Sequence, residues 1–208
     1  MSMLALARGV PNIVRNQAQR KWERQPARLL DEKTVGILGV GSIAEALAPK
    51  CKAFGMQVVG ISGTQREVPG FDRMHGKDEL VEVVAGLDFL VLLTPYTPDT
   101  RNLVDATVLA AMKPTAYLIN LARGGVVDEP ALMACLERKG IAGAALDVFA
   151  TEPLPEDHPL WGMDNVLITP HLGGFCDVYP KLVPPTIEEN IRLFLAGDTA
   201  NMINLVSR

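Results

Sequence analysis

A chain of 208 residues, 48% hydrophobic and 21% charged, has ordinary globular composition and enough length for one large domain or one domain with appendages. Its formal charge of -4 comes from interspersed acids and bases, which argues against a nucleic-acid-binding face or a polybasic membrane anchor. Three isolated cysteines, Cys51, Cys135 and Cys176, form no Cys-x-x-Cys pair and no cluster of metal-ligand spacing, so reduced thiols, a cytoplasmic location and no metal site are expected. No apolar run reaches the length of a membrane span, and Met1–Val10 lacks the charged start and cleavage site of a signal peptide.

Met1–Arg8 reads as the tail of a helix without a beginning, and Asn12–Arg28 as a polar, basic segment anchored by Trp22. A self-contained domain rarely opens this way, so the start looks internal to something larger. Strand-like apolar runs then alternate with helix-like stretches. Strands are expected at Thr34–Leu38, Gln57–Ile61, Phe89–Leu93, Ala116–Asn120, Ala142–Leu146 and Val166–Thr169, with helices at Ser42–Phe54, Asp78–Val84, Asp105–Met112 and Glu129–Arg138. This alternation predicts an α/β fold, a doubly wound parallel sheet of Rossmann type covered on both faces. Lys113-Pro114 and Lys139-Gly140 punctuate two of the helices. Thr151–Pro159 is a proline-rich loop, and long ordered loops often carry function. A final helix within Thr186–Ala196 puts Ile187, Ile191, Phe194 and Leu195 at helical spacing, so one face is expected to be buried. The expected organisation is a helical or linker segment at 1–30, the doubly wound α/β domain at 31–180 and a C-terminal helix and tail at 181–208.

The most informative motif is Gly39-Val40-Gly41-Ser42-Ile43-Ala44, directly after the first strand and directly before a helix. In that setting Gly39 permits a tight turn and Gly41 lets the backbone approach a pyrophosphate. Ala44 is small enough for the helix to pack on the strand, and Ser42 and Ile43 open a helix whose amides face the anion. An NAD-preferring site usually has an acid at the end of the second strand. Ser62 stands there instead, and no acid follows until Glu67. Ser62 and Thr64 could donate hydrogen bonds to a 2′-phosphate and Arg66 could supply charge, so NADP is expected to be preferred over NAD.

Several further motifs follow in order: Leu93-Thr94-Pro95, Asn120-Leu121-Ala122-Arg123-Gly124-Gly125, Ala145-Leu146-Asp147-Val148-Phe149, Thr151-Glu152-Pro153 and Thr169-Pro170-His171-Leu172-Gly173-Gly174. Together with Lys33–Gly41 they resemble the nucleotide-binding half of the D-isomer-specific 2-hydroxyacid dehydrogenases, the group that includes phosphoglycerate dehydrogenase and the glyoxylate/hydroxypyruvate reductases. The resemblance covers essentially the whole chain. It implies a second, substrate lobe built mainly from an N-terminal part that this sequence lacks, to which the final helix would return. It also implies pairing of two copies through the nucleotide-binding lobe.

By that resemblance Arg123 holds the substrate carboxylate, His171 donates the proton and Glu152 is the partner of His171. Reducing a 2-oxo acid needs those three functions: a planar cation for the carboxylate, a proton donor near neutral pH and an acid that favours its charged form. Asp147 resembles the residue that meets the nicotinamide carboxamide. Pro95, Thr100, Leu121 and Ala122 resemble cofactor contacts, as do Arg123 and His171 themselves, while Gly173 and Gly174 leave room for the ring. His75 and His158 have no such setting and read as surface residues. The resemblance thus implies an NAD(P)-dependent oxidoreductase acting on small 2-hydroxy or 2-oxo acids. A truncated, non-catalytic dinucleotide-binding or dimerisation module is the alternative, and a misassigned start codon in a longer enzyme is a third reading. With the substrate lobe absent, Met1–Leu6 and the final helix are expected to expose an apolar patch.

Overall fold

All six expected strands form, each within one residue of its predicted ends, and a seventh joins them. In the computed structural model, which describes residues 1–64 and 66–205, they are β1 (Thr34–Leu38), β2 (Gln57–Ser62), β3 (Arg73–Gly76), β4 (Phe89–Leu92), β5 (Tyr117–Asn120), β6 (Gly143–Leu146) and β7 (Val166–Ile168). They make one parallel sheet in the order β3-β2-β1-β4-β5-β6-β7. The strand that sequence reading misses, β3, is the polar edge strand Arg73-Met74-His75-Gly76, with only Gly76 buried.

The helices of this part are α1 (Ser2–Ala7), α2 (Val10–Ala18), α3 (Ser42–Ala53), α4 (Leu80–Val84), α5 (Ala106–Ala111) and α6 (Glu129–Glu137). Parallel strands buried on both faces alternate their side chains between two cores. In β4, Leu90 and Leu92 enter the cluster under α4, α5 and α6, while Phe89 and Val91 enter the cluster under α1 and α3. Asp105 caps α5 by accepting from the Thr107 and Val108 amides, both at 2.9 Å, and Asp128 caps α6 by accepting from Ala131 at 3.0 Å. At the opening of β2, Asp72 accepts from the Val58 amide (2.7 Å) and pairs with Lys52 (2.7 Å); the Lys52 ammonium beside it holds its carboxyl below the usual range.

Two expectations about the first 30 residues fail. Trp22 anchors nothing, being 93% exposed. The segment is instead tied by arginines, which find backbone carbonyls. Arg15 donates to Asp164 O, and Arg28 donates to Thr115 O at 2.6 Å while lying over the Tyr117 ring. Nor is Met1–Leu6 fully exposed: Leu6 and Ala7 are buried in the sheet core, where α1 packs against β5 and β6.

The chain divides into two units, Met1–Pro170 and His171–Arg208. The second is built on α7 (Tyr179–Leu195), which begins well before the expected Thr186 and runs through Pro184 and Pro185. The expected buried face of this helix is not seen. Ile187, Ile191, Phe194 and Leu195 are 51–79% exposed, and Leu193 is the helix's buried residue. The exposed apolar strip expected there is therefore present. Within this unit Asn190 closes the chain back on itself, accepting from the Ile203 amide and donating to its carbonyl. Among the described residues no helix is long and apolar enough to cross a membrane, and no group of three or more acidic, His or Cys side chains could hold a metal.

Candidate dinucleotide and substrate site

The sheet order makes the site. The chain goes from β1 outward to β2 and β3, then returns across β1 to β4, so the connections leave the carboxyl ends of β1 and β4 in opposite directions and open a crevice there. A cleft of about 310 Å3 occupies this end of the sheet, bordered by Gly39 and Gly41, by Ser62 and Thr64, and by Thr94 and Pro95.

Its geometry fits a dinucleotide. Gly39 has φ +96°, and a Cβ there would strike the backbone of Thr94, so the turn after β1 rides directly on the end of β4. Gly41 is different: a Cβ built on it meets no protein atom within 4 Å. The space that glycine leaves at Gly41 is thus not filled by the protein. Gly41 is also the N-cap of the 12-residue α3 and offers no side-chain cap, so the first amides of that helix point outward unpaired by a cap. Ser42 and Ile43 are exposed, whereas Ala44 is fully buried, in keeping with the need for a small residue where helix meets strand.

At the end of β2 the Ser62 hydroxyl accepts from the Thr64 amide at 3.3 Å. Arg66 is exposed and ion-paired at 2.6 Å with Glu45, in the first turn of α3. Thr100 is buried, and its hydroxyl donates to Pro95 O (2.7 Å) and accepts from the Thr97 amide (2.8 Å), so it fixes the loop on which Pro95 stands exposed.

Arg123 follows β5. Its loop is set by Asn120, which sequence reading names only as part of a motif. Asn120 is 2% exposed, its Oδ1 accepts from the Ala122 amide (3.0 Å) and its Nδ2 donates to Arg123 O (3.1 Å). Both ends of one amide thus hold the turn that carries Leu121, Ala122 and Arg123. Arg123 is exposed, with one guanidinium nitrogen donating to Ala122 O at 2.6 Å. An Asn120→Ala substitution leaves two backbone groups without these partners and is expected to cost about 2 kcal/mol of stability. Urea unfolding checks this, and a value near zero would mean that the turn holds itself.

The loop after β6 carries Asp147 and Glu152. Asp147 is buried and accepts from the Thr169 hydroxyl at the end of β7. Glu152 is exposed, stands before a cis Pro153, and accepts from the Phe149 amide at 3.0 Å. This loop meets the Arg123 loop at Gly124, where a Cβ would overlap the backbone of Phe149 and Ala150. The loop is held from its other side by Glu129, which accepts from the Ala150 amide at 3.2 Å and lies 3.5 Å from His158 Nε2. His158 is therefore partly buried and paired rather than a plain surface residue, and the same holds for His75, which is bonded to Glu79. His171, Gly173 and Gly174 belong to the second unit, all exposed, with His171 at φ +53°. Burial raises the thiol pKa of Cys51 and Cys135, which keeps both unreactive.

Comparison with known proteins accords with this geometry. The family described as "D-isomer specific 2-hydroxyacid dehydrogenase, NAD binding domain" matches residues 1–173. The D-3-phosphoglycerate dehydrogenase of Methanocaldococcus jannaschii is 36% identical over 207 residues, 98% of this chain and 39% of that protein. Glyoxylate/hydroxypyruvate reductase A of Serratia proteamaculans is 37% identical over 183 residues, 88% of this chain and 58% of that protein. Among solved structures, a D-isomer specific 2-hydroxyacid dehydrogenase from Xanthobacter autotrophicus Py2 in complex with NADPH and MES is 41% identical. It superposes with a TM-score of 0.89 over 99% of this chain and 84% of that one. The chain thus spans roughly two- to three-fifths of the length of these two curated relatives. It belongs to the D-isomer-specific 2-hydroxyacid dehydrogenase family, whose NAD-binding domain it carries.

Proposed function

We propose that this chain is the dinucleotide-binding part of an oxidoreductase that reduces small 2-oxo acids, such as glyoxylate or hydroxypyruvate, with NADP(H) preferred to NAD(H). The observation that carries the reading is the seam at Gly124, where the loops bearing Arg123 and Glu152 touch at the carboxyl ends of adjacent parallel strands. These two loops carry a group suited to a carboxylate and a group suited to an imidazole, and the glycine turn after β1 opens at the same end of the sheet. The family match extends through His171 and so includes the third group.

When bound, the nicotinamide supplies or accepts the hydride. The other tasks fall to this chain. Arg123 holds the substrate carboxylate with its planar fork, which fixes the carbonyl carbon in position. His171 gives a proton to the carbonyl oxygen as the alcohol forms and takes it back in the reverse direction. Glu152, its carboxylate oriented by the Phe149 amide, favours the charged imidazolium. Asp147, Leu121, Ala122, Pro95, Thr100, Gly173 and Gly174 would surround the nicotinamide end, and Ser62, Thr64 and Arg66 the adenosine end. A cytoplasmic location and pairing of two copies through this domain complete the reading, and light scattering tests the pairing.

The test is to mix the chain with NADPH or NADH and a panel of small 2-oxo acids and to follow the loss of reduced-nicotinamide absorbance. Turnover that falls by about a thousandfold or more in His171→Ala, as loss of a general acid predicts, supports the assignment. Turnover that survives the substitution removes His171 from the chemistry. Saturable nucleotide binding without turnover favours the second reading, a non-catalytic dinucleotide-binding module. No nucleotide binding at all overturns both.

A further inference from the structure

The adenosine end of the cleft contains a cation that the motifs do not reveal. Lys77 is the first residue after β3, and the register of β2 with β3 pairs Ser62 with Gly76. Lys77 is therefore carried to a position beside Gly63, just past the end of β2. The approach is close: a Cβ added to Gly63 would lie 3.0 Å from Lys77 Cε. Among the described residues Lys77 is the only charged group lining the cleft, and the lining includes no carboxylate. It is partly buried and has no ion-pair partner among the described residues. Arg66, by contrast, is engaged with Glu45 and does not line the cleft.

We propose that Lys77 is a specificity-determining residue that reads the 2′-phosphate of the adenosine ribose. Ser62 and Thr64 supply neutral donors on one side, and the Lys77 ammonium supplies the charge from the neighbouring strand. This inference rests on the dinucleotide reading above and adds to it the group that distinguishes the two cofactors. The physical argument is one of differential charge. A 2′-hydroxyl gains little from an ammonium, whereas a phosphate dianion facing one unpaired cation in a cleft without carboxylates gains a charge-assisted hydrogen bond. Glu45 already neutralises Arg66, so Arg66 must give up a partner to bind phosphate. Lys77 has no ion-pair partner to give up among the described residues.

The experiment measures dissociation constants of NADPH, NADH, 2′,5′-ADP and 5′-AMP, by calorimetry or fluorescence, for the parent chain and for Lys77→Gln, Lys77→Arg and Arg66→Gln. The expected result is that Lys77→Gln weakens NADPH and 2′,5′-ADP by about tenfold or more, equivalent to about 1.4 kcal/mol, with NADH and 5′-AMP changed less than about twofold. Lys77→Arg is expected to retain most of the preference and Arg66→Gln to have the smaller effect. The preference should also shrink as salt is raised. Unfolding curves of the variants guard against a folding defect, and Lys77→Arg preserves the charge if the glutamine variant is unstable. A parent chain that prefers the 2′-phosphorylated ligands while Lys77→Gln keeps that preference overturns the assignment alone. Equal binding of NADPH and NADH by the parent overturns both the assignment and the NADP preference, and no binding of any of the four ligands overturns the dinucleotide reading itself.

Discussion

Replacing Gly41 with alanine is expected to weaken NADPH binding by about tenfold or more, while leaving thermal stability unchanged or slightly raised. The two halves of this expectation have separate causes. Gly41 has φ -127° and ψ -165°, an extended conformation open to any residue, and its added methyl meets no protein atom within 4 Å. Folding therefore loses nothing. The unfolded chain becomes less flexible, which favours the folded state by up to about 1 kcal/mol. The methyl group does, however, fill the space through which a pyrophosphate would approach the first amides of α3. Gly39→Ala is the contrasting variant, because φ +96° and the Thr94 backbone penalise the fold itself. Calorimetric titration with NADPH, beside a melting curve, separates the two. A Gly41→Ala chain that binds NADPH like the parent would remove the pyrophosphate from this turn.

The second large effect is expected at Gly124. A methyl group there would overlap the carbonyl of Phe149 and the nitrogen of Ala150, backbone atoms that no rotamer change can move aside. The expected loss is about 3 kcal/mol, toward the upper end for an overpacked site, which corresponds to about 6–12 °C in melting temperature for a chain of this size. At temperatures where the variant is still folded, the loops of Arg123 and Glu152 must part, so kcat/KM is expected to fall as well. Gly125 is the internal control. Its added methyl would face the ring of Tyr96, which is half exposed and can swing away, so Gly125→Ala should cost much less. Thermal unfolding followed by circular dichroism decides the matter, and a Gly124→Ala chain melting within about 2 °C of the parent would show that the seam yields easily.

The central strands and their helices are legible in the sequence because burial on both faces demands continuous apolar runs. Phe89-Leu90-Val91-Leu92 is such a run, and all four residues are buried. The strand β3 is not legible, since Arg73-Met74-His75-Gly76 has no apolar run and only Gly76 is buried, whereas the other edge strand, β7, keeps the apolar run Val166-Leu167-Ile168. Missing β3 also hides Lys77, whose position follows only from the pairing of Ser62 with Gly76. The early start of α7 is not legible either, since proline disfavours a helix interior and yet the helix runs through Pro184-Pro185. Trp22 shows the opposite failure. Hydrophobicity suggests an anchor, but Trp22 is exposed, and the tethers of this segment are Arg15 and Arg28. Of the candidate site, the glycine turn, Ser62 and the Arg123 motif can be read directly. The role of Asn120 cannot, because a buried amide that braces a turn looks like any polar residue at a strand end.

The strand order has one further consequence. Ser62, Thr64 and Lys77 follow β2 and β3, which lie on one side of β1, whereas Arg123 and Glu152 follow β5 and β6, on the other side. The groups proposed to choose the cofactor and the groups proposed to do the chemistry thus hang from opposite wings of a single sheet, with the glycine turn at the hinge line between them. On the proposed assignments, residues 62–77 can be rewritten to exchange one coenzyme for another without touching the loops after β5 and β6. The sheet keeps the residues proposed for coenzyme choice and those proposed for substrate chemistry on separate stretches of chain, open to change independently of one another.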